Sequence, residues 1–405
     1  MKVVATVRID AASARLVAAV NSEFDSPIVS EFEEVNQYGF IRAEISGLEA
    51  DTEYFLGVQE PDAEIGSFTG RFRTPPSGAH SFSFAAASCS TTGSNEMIFD
   101  AIRARAESDD IAFFIHMGDL HYEDIDVNDE ALFHAAFDQV FGSPRQKDLW
   151  AKLPMYYIWD DHDFGPNNSG RDNPARQAAV AAYRRRVPSP SLAQSGSESA
   201  PYFSFVRGRV RFIVTDVRSE RAEQGEFNST DPDQVVFTNT QRNWLFAEML
   251  AAQSADQAII WVNSKPWVAA VTNGADHWGG YDAARQEIAS FVDANELNRR
   301  IAILSGDMHA LAYDDGSSVH NAACVRVLQA AALDRAGSNK GGPYTTGPIR
   351  SPASGAVSQY GLVDITDAAG EGDVSVRFRG ISINRTNGAE TTQIDVSFDL
   401  GDNLP

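Results

Sequence analysis

The sequence is poor in cysteine, in positive charge and in long apolar runs, and each shortage excludes a class of protein. Cys89 and Cys324 are the two cysteines among 405 residues, which excludes a disulfide framework and a Cys-x-x-Cys zinc site. The 33 lysines and arginines face 56 acids, and the net charge of −23 leaves no basic footprint for stable binding of nucleic acid or an anionic membrane. No apolar run approaches the roughly 18 residues of a transmembrane helix. An anionic substrate would therefore have to be held by locally placed cations.

The first residues carry no recognisable leader. The stretch MKVVATVRIDAAS has a five-residue apolar run that Arg8 and Asp10 interrupt, and a twin-arginine pair is missing. Such a run is too short for the apolar part of a signal peptide. The residues alone therefore predict either an intracellular protein or one whose leader was removed before this numbering begins.

Two regions of different pattern follow one another along the chain. Residues 1–77 contain short alternating segments at the spacing of a β-sandwich and end in the linker-like stretch TPPSGAH, rich in Pro, Gly and Ser. Residues 78–405 alternate apolar strands with helical periodicity, which predicts an α/β domain with helices covering the sheets. The predicted helices of this second domain span 129–140, 174–186, 240–253 and 282–295.

Two further expectations concern the end of the second domain. Residues 334–355 form a stretch rich in Gly, Pro, Ser and Thr, which predicts a long loop. A loop of this length is more often functional than idle. Cys324 falls within an apolar segment, so we expect it in the core.

Polar clusters follow the apolar strands of the second domain. Each cluster alone has an ordinary explanation as a turn, a helix cap or a packed residue. Ligands of open α/β sheets bind outside the carboxyl ends of the strands, however, and these clusters all occupy that position. We therefore expect one site for metal binding and proton transfer. The clusters are Cys89, Gly118-Asp119-Leu120-His121-Tyr122, Asp160-Asp161-His162-Asp163, Asp216 with Arg218, Asn263, and Gly306-Asp307-Met308-His309.

The ordered set resembles the alkaline phosphatase D family, a branch of the metallophosphoesterase and purple acid phosphatase superfamily. The stretches ASCS, GDLHYED, WDDHDFGPNN, DVRSER, DHWGGY and SGDMH carry the resemblance. Cys89 stands where the wider superfamily uses Asp, and Asp307 stands where it uses His. The resemblance implies a layered α/β sandwich of two mixed sheets flanked by helices. The stretch ISGLEADTEYFLGV is similar to a fibronectin type III-like module, in which Leu48 and Tyr54 pack the corner between two sheets.

The resemblance also implies a dinuclear centre of Fe³⁺ and Ca²⁺. A tyrosine ligand must lose a proton with a free pKa near 10, which requires a highly charged ion. The second set of ligands is rich in hard oxygen, which favours Ca²⁺, Mn²⁺ or Mg²⁺ over Zn²⁺. The first ion is expected at Cys89, Asp119, Tyr122 and His309, and the second at Asp119, Asp161, Asn263 and Asp307.

The implied reaction is attack on a phosphate ester by a metal-bound hydroxide, with His162 beside Asp161 as general acid. Asp163 is expected either to orient His162 or to cap the turn. Five further residues are expected to contact the substrate, each with a structural alternative in salt bridges, turns or packing. These are Arg218, Asn168, His121, Trp278 and Tyr281.

Several alternatives stay open at this point. The substrate is a small-molecule, lipid or nucleotide phosphate ester, and a diester-selective or phospholipase D-like enzyme is the main variant. Loops 189–200 and 334–355 are expected to decide between monoester and diester. A non-catalytic module that binds a partner or glycan is the alternative class, against which the ligand set and His162 argue. Because the family is commonly exported, a periplasmic or secreted location is expected; the oligomeric state is left open.

Overall fold

The amino-terminal region is all-β in the computed structural model, which describes residues 1–66, 70–352, 355–367, 370 and 372–401. Strand β2 pairs with β3, β4 and β6, β6 pairs with β7, and β1 pairs with β5. Leu48 and Tyr54 are buried together, and the Tyr54 hydroxyl accepts a hydrogen bond of 3.0 Å from the Glu49 amide. The predicted corner between the sheets is therefore present. The strands are β1 (Lys2–Arg8), β2 (Ser13–Ala19), β3 (Ile28–Val29), β4 (Glu33–Glu34), β5 (Phe40–Ser46), β6 (Glu53–Gln59) and β7 (Gly70–Arg73).

The second region forms two mixed sheets with helices, as predicted. The strands are β8 (Phe82–Ala87), β9 (Ile111–Met117), β10 (Met155–Ile158), β11 (Phe203–Arg207), β12 (Val210–Val214), β13 (Ala258–Asn263), β14 (Ile301–Ser305), β15 (Ala310–Asp314), β16 (Arg326–Ala330), β17 (Thr346–Arg350), β18 (Val357–Thr366), β19 (Val374–Asn384) and β20 (Glu390–Leu400). The helices are α1 (Met97–Ser108), α2 (Glu130–Gly142), α3 (Pro144–Trp150), α4 (Asp161–Phe164), α5 (Arg176–Arg186), α6 (Asn239–Ser254) and α7 (Asp282–Ala294). None of these described helices is long and apolar enough to cross a membrane.

The sheets stack face to face over a shared apolar core. The first sheet has the order β10-β9-β8-β18-β19-β20, and the second has the order β11-β12-β13-β14-β16-β15-β17. Between them the ring of Phe84 lies 5.2 Å from that of Phe113 and 5.3 Å from that of Phe212. Helix α1 packs its buried residues against the outside of the first sheet, and α6 and α7 do so against the second. The result is the predicted layered sandwich.

The parallel strands determine where the polar clusters meet. Strands β8, β9 and β10 are parallel neighbours in one sheet, and β12, β13, β14 and β16 are parallel neighbours in the other. Cys89, Asp119 and Asp161 follow the first three strands closely, whereas Asn263 ends β13 and Asp307 follows β14. Because parallel strands end at the same edge of a sheet, both sheets present these residues at one end of the sandwich.

Two expectations from the sequence are wrong. Cys324 is exposed, because it lies in a 3-10 turn that ends before β16 begins at Arg326. The stretch 334–355 is also not one long loop, since β17 lies within it and pairs with β15. Gly347 and Pro348 in β17 hide that strand, because both residues are rare within sheets. Residues 353–354 of the stretch lie outside the described residues.

We predict that Gly118→Ala disrupts the junction after β9. Gly118 has φ +87°, and an added Cβ would lie 2.3 Å from the Asp160 amide nitrogen. Strain and the backbone clash together should lower the free energy of unfolding by about 3 kcal/mol or more. Gly78→Ala is the matched control, with φ +75° and nothing within 4 Å of the added Cβ, and it should cost about 1–2 kcal/mol. Urea denaturation compares the two, and equal losses would show that the close approach at Gly118 does not matter.

Candidate metal centre

Thiol, carboxylate and imidazole groups from both sheets converge at the carboxyl ends of the strands. Ligand atoms of Cys89, Asp119 and His309 lie within 4.8 Å of one another. The same holds for a second group, which contains Asp119, Asp160, Asp161 and Asp307. Asp119 belongs to both groups. The clusters that the sequence scatters over more than two hundred residues therefore form one site.

Tyr122 lies beside the first group, and the geometry of Tyr122 and His309 suits ligation. The Tyr122 hydroxyl donates a hydrogen bond of 2.6 Å to Asp119 Oδ2 and lies 3.3 Å from His309 Nε2. His309 Nδ1 lies 2.6 Å from the carbonyl oxygen of Ala336, which can only accept a hydrogen bond. Nδ1 therefore carries the ring proton, and the lone pair of Nε2 points to the cluster.

The backbone of the cluster is strained. Cys89, Asp119, Asp307 and His309 have φ values of +63°, +53°, +60° and +52°. A left-handed conformation costs a residue other than glycine on the order of 1–3 kcal/mol when the surroundings impose it. Four such residues among the predicted ligands indicate that the fold holds their side chains in place for a purpose other than stability.

Buried carboxylate oxygens of the second group lack hydrogen-bond partners among the described residues, and of these only Asp161 Oδ1 has an ion-pair contact, at 3.3 Å from Arg218. Asp160 Oδ2, Asp161 Oδ1 and Asp307 Oδ2 are inaccessible to solvent, and none of the described groups forms a hydrogen bond with them. Buried polar atoms are normally paired, because an unpaired one costs about 1–3 kcal/mol. Hard cations bind such oxygens. The residues therefore fit a metal ion.

Crowding of acids changes the protonation of the group. Burial, followed by repulsion from Asp161 and Asp160, raises the pKa of Asp119 well above its usual value. Burial also raises the pKa of Asp160 to about 7, although Arg218 opposes the shift. Burial and the nearby Asp119 carboxylate likewise raise the pKa of both the Cys89 thiol and the Tyr122 phenol. These groups release their protons readily only when a cation balances them, which again fits metal ligands.

Asp276 forms a buried hub that collects the cations of the site. It accepts hydrogen bonds from Arg218 at 3.0 Å and from Arg221 at 2.5 Å. The ammonium of Lys265 lies 3.1 Å from the same carboxylate, and that of Lys340 lies 3.5 Å away. Arg218 also contacts Asp160 and, at 3.3 Å, Asp161. Arg218 thus links the hub to the ligand cluster.

Of the residues predicted to contact the substrate, Arg218 and His121 are buried, and Asn168 approaches the cluster through its backbone. All three guanidinium nitrogens of Arg218 contact carboxylates, and its side chain is fully buried. His121 is also fully buried, its ring lies edge-on to Phe137, and burial lowers its pKa to about 3. Asn168 approaches the cluster through its backbone, since its amide donates to Asp161 Oδ2 at 2.7 Å. For Arg218 and His121 the structure therefore shows the structural alternatives, salt bridges and packing.

The two aromatic residues of the DHWGGY stretch pack inside the protein and do not form an exposed surface for the substrate. Trp278 and Tyr281 are fully buried, and the Tyr281 hydroxyl donates to the Ala222 carbonyl. The Trp278 indole donates to Asn263 Oδ1 at 2.9 Å, and the Lys265 amide donates to the same oxygen at 3.2 Å. The side-chain oxygen of Asn263 therefore accepts hydrogen bonds from both donors. Its buried Nδ2 has no partner among the described residues. Its ligation of a metal stays a prediction and requires the side chain to turn.

His162 is oriented by a residue that sequence reasoning missed. Its Nδ1 lies 2.6 Å from Asp124 Oδ1, and its ring lies 4.1 Å from the Tyr122 ring. Asp163, the expected partner, instead accepts hydrogen bonds from the Leu120 amide and the Tyr157 hydroxyl, at 3.0 and 2.6 Å. Asp163 thus holds the turn. Asp124 ends the GDLHYED stretch, so a neighbouring acid was visible in the sequence, but its pairing across 38 residues was not.

Comparisons with known proteins agree with this arrangement. Alkaline phosphatase D of Bacillus subtilis (strain 168) is 26% identical over 185 residues, an alignment that covers 40% of this chain. It spans about a third, 32%, of that relative's length. The solved structure of PhoD shares the fold with a TM-score of 0.74 at 17% identity, over 96% of this chain and 84% of that one.

Fold and cluster define the class as a layered α/β protein with candidate metal ligands at its strand ends. The family model described as PhoD-like phosphatase matches residues 84–369, well over half of the chain. The chain therefore belongs to the PhoD-like phosphatase family. This confirms the resemblance in the motifs, and the family is one of phosphoric ester hydrolases.

We predict that Asp119→Asn has opposite effects on stability without and with metal. Because the folded pKa of Asp119 is raised, metal-free protein loses stability as pH rises above about 4, where the unfolded chain already ionises this group. The amide removes that loss, so the metal-free variant should have a flatter dependence on pH. In the presence of metal the variant should be less stable than wild type, because the substitution removes the predicted bridging carboxylate.

Urea denaturation from pH 4 to 8, with and without chelator, together with elemental analysis tests this prediction. Asp126→Asn is the control, since Asp126 is exposed. An Asp119→Asn variant that retains two ions per chain would contradict the bridging role.

Proposed function

We propose that this protein hydrolyses phosphate esters at the converged strand ends, with a dinuclear metal centre and His162 as general acid. The observation that carries the proposal is the pair of buried carboxylate oxygens, Asp160 Oδ2 and Asp307 Oδ2, that lack hydrogen-bond partners among the described residues, beside an oriented imidazole. Membership of a phosphatase family supports the same reaction class. A binding module would have no need for strained acids next to a proton donor.

The two ligand groups favour different ions. Cys89, Tyr122 and His309 offer a thiolate, a phenolate and an imidazole, which with Asp119 suit Fe³⁺. Asp119, Asp161 and Asp307 offer carboxylate oxygens, which suit Ca²⁺, with Mn²⁺, Mg²⁺ or Zn²⁺ as substitutes and Asn263 as a possible fourth ligand. When bound, such ions supply Lewis-acid activation of water and of the phosphoryl oxygens.

His162 is the proposed proton donor to the leaving group. Asp124 accepts from Nδ1, so Nε2 is the nitrogen available to exchange a proton with an ester oxygen. The backbone amide of His162 donates to Asp119 Oδ1 at 3.3 Å, which ties the acid to the ligand cluster. The turn that carries the proposed acid is therefore hydrogen-bonded to the predicted bridging ligand.

Ester class is tested with p-nitrophenyl phosphate and bis-p-nitrophenyl phosphate. Wild-type protein loaded with iron and calcium should hydrolyse at least one of them, and chelation should abolish the activity. The ratio of the two rates distinguishes a monoesterase from the diester-selective alternative. Full activity in protein shown by elemental analysis to hold no metal would contradict the proposal.

We predict that His162→Ala slows hydrolysis without removing metal. For alkyl esters, whose leaving oxygen needs a proton, kcat should fall by about 10²- to 10⁴-fold, and for p-nitrophenyl esters it should fall much less. Asp124→Asn should produce a smaller loss with the same dependence on the leaving group. Asp126→Asn, an exposed neighbour, is the control. Loss of metal from the His162→Ala variant, or an equal loss of rate for all leaving groups, would contradict the role of general acid.

A further inference from the structure

The segment Asp334–Lys340, here named the strap, lies across the ligand cluster. It is attached by successive contacts: Asp334 accepts from the Thr91 amide at 2.5 Å, Ala336 accepts from His309, and Ser338 donates to the Met308 carbonyl at 2.9 Å. At its far end Lys340 contacts Asp307 at 2.6 Å. The strap thus contacts residues of, or next to, both ligand groups.

Arg335 projects from the strap over a predicted ligand. Its guanidinium carbon lies 4.0 Å from the centre of the Tyr122 ring, a cation–π contact. Its neighbours Asp334 and Ala336 are both anchored, so the arginine is held from either side. The side chain is half-buried, and in the part of the chain that the structure describes no carboxylate or carbonyl pairs with it. Arg335 therefore keeps its hydrogen-bond donors free at the cluster.

The other cations of the site are already engaged. Arg218, Arg221 and Lys265 are fully buried and contact Asp276, and Lys340 contacts both Asp276 and Asp307. A chain with a net charge of −23 repels anions, so a phosphate ester needs a local cation to bind. A guanidinium suits this task, because its planar fork donates two parallel hydrogen bonds to phosphate oxygens.

We propose that Arg335 is a substrate-binding residue, which donates hydrogen bonds to the non-bridging oxygens of the phosphate ester. This inference rests on the proposed function for its choice of ligand. The strap then positions the phosphoryl group next to Tyr122 and His162. A monoester dianion gains more from this cation than a diester monoanion does, so Arg335 also favours monoesters.

Arg335→Gln in the full-length, metal-loaded protein tests the proposal. Inorganic phosphate, titrated by calorimetry, should bind about 10- to 100-fold more weakly, because charged hydrogen bonds are lost. KM for p-nitrophenyl phosphate should rise by a similar factor, and by less for bis-p-nitrophenyl phosphate, with metal content unchanged. Arg335→Lys should recover part of the affinity. Arg377→Gln, which removes the same charge from an exposed ion pair with Asp395, should change nothing.

Three results separate the possible failures. Unchanged phosphate affinity in Arg335→Gln overturns the substrate-binding role. Loss of metal in parallel with phosphate also overturns it, because Arg335 would then act by supporting Tyr122. Wild-type protein that binds phosphate through Arg335 but hydrolyses neither ester upholds this inference and overturns the proposed function.

Discussion

Repulsion among buried carboxylates is the constraint on which the rest of the site depends. Asp119, Asp160, Asp161 and Asp307 place oxygens within 4.8 Å of one another in a region without solvent. Charges at such distances interact strongly in a protein interior, so the cluster is stable only if protons or cations balance it. The chain supplies part of that balance through Arg218 and Lys340. The buried oxygens without hydrogen-bond partners are the proposed ligands of an ion that would supply the rest.

The remaining cations are arranged to organise the site. Asp276 is fixed by Arg218, Arg221 and Lys265, and these cations keep it ionised, since its pKa is well below the usual value. Burial alone would raise that pKa, but the arginines and lysines outweigh it. Asp276 therefore fixes the orientation of the Arg218 side chain, which in turn contacts Asp160 and Asp161. Arg335 has no such partner among the described residues, which is why the two arginines are given different roles.

Much of the site could be predicted because parallel strands gather their carboxyl ends. Strand patterns before Cys89, Asp119, Asp161 and Asp307 were enough to expect one cluster, and the structure brings these residues together. Partners across long separations were not visible. Asp124 reaches His162, Asp276 collects four cations, and Lys340 reaches Asp307, yet no local periodicity encodes these pairs. Strand β17 is not predicted from the sequence, because Gly347 and Pro348 interrupt the local pattern of a strand.

The central claim is that the converged strand ends hold two metal ions bridged by Asp119. Anomalous X-ray diffraction from crystals of the metal-loaded protein, with elemental analysis of the same preparation, tests it most directly. The account predicts two ions per chain, one beside Cys89, Tyr122 and His309 and one beside Asp161 and Asp307. A single ion, or ions bound elsewhere on the chain in active protein, would contradict it.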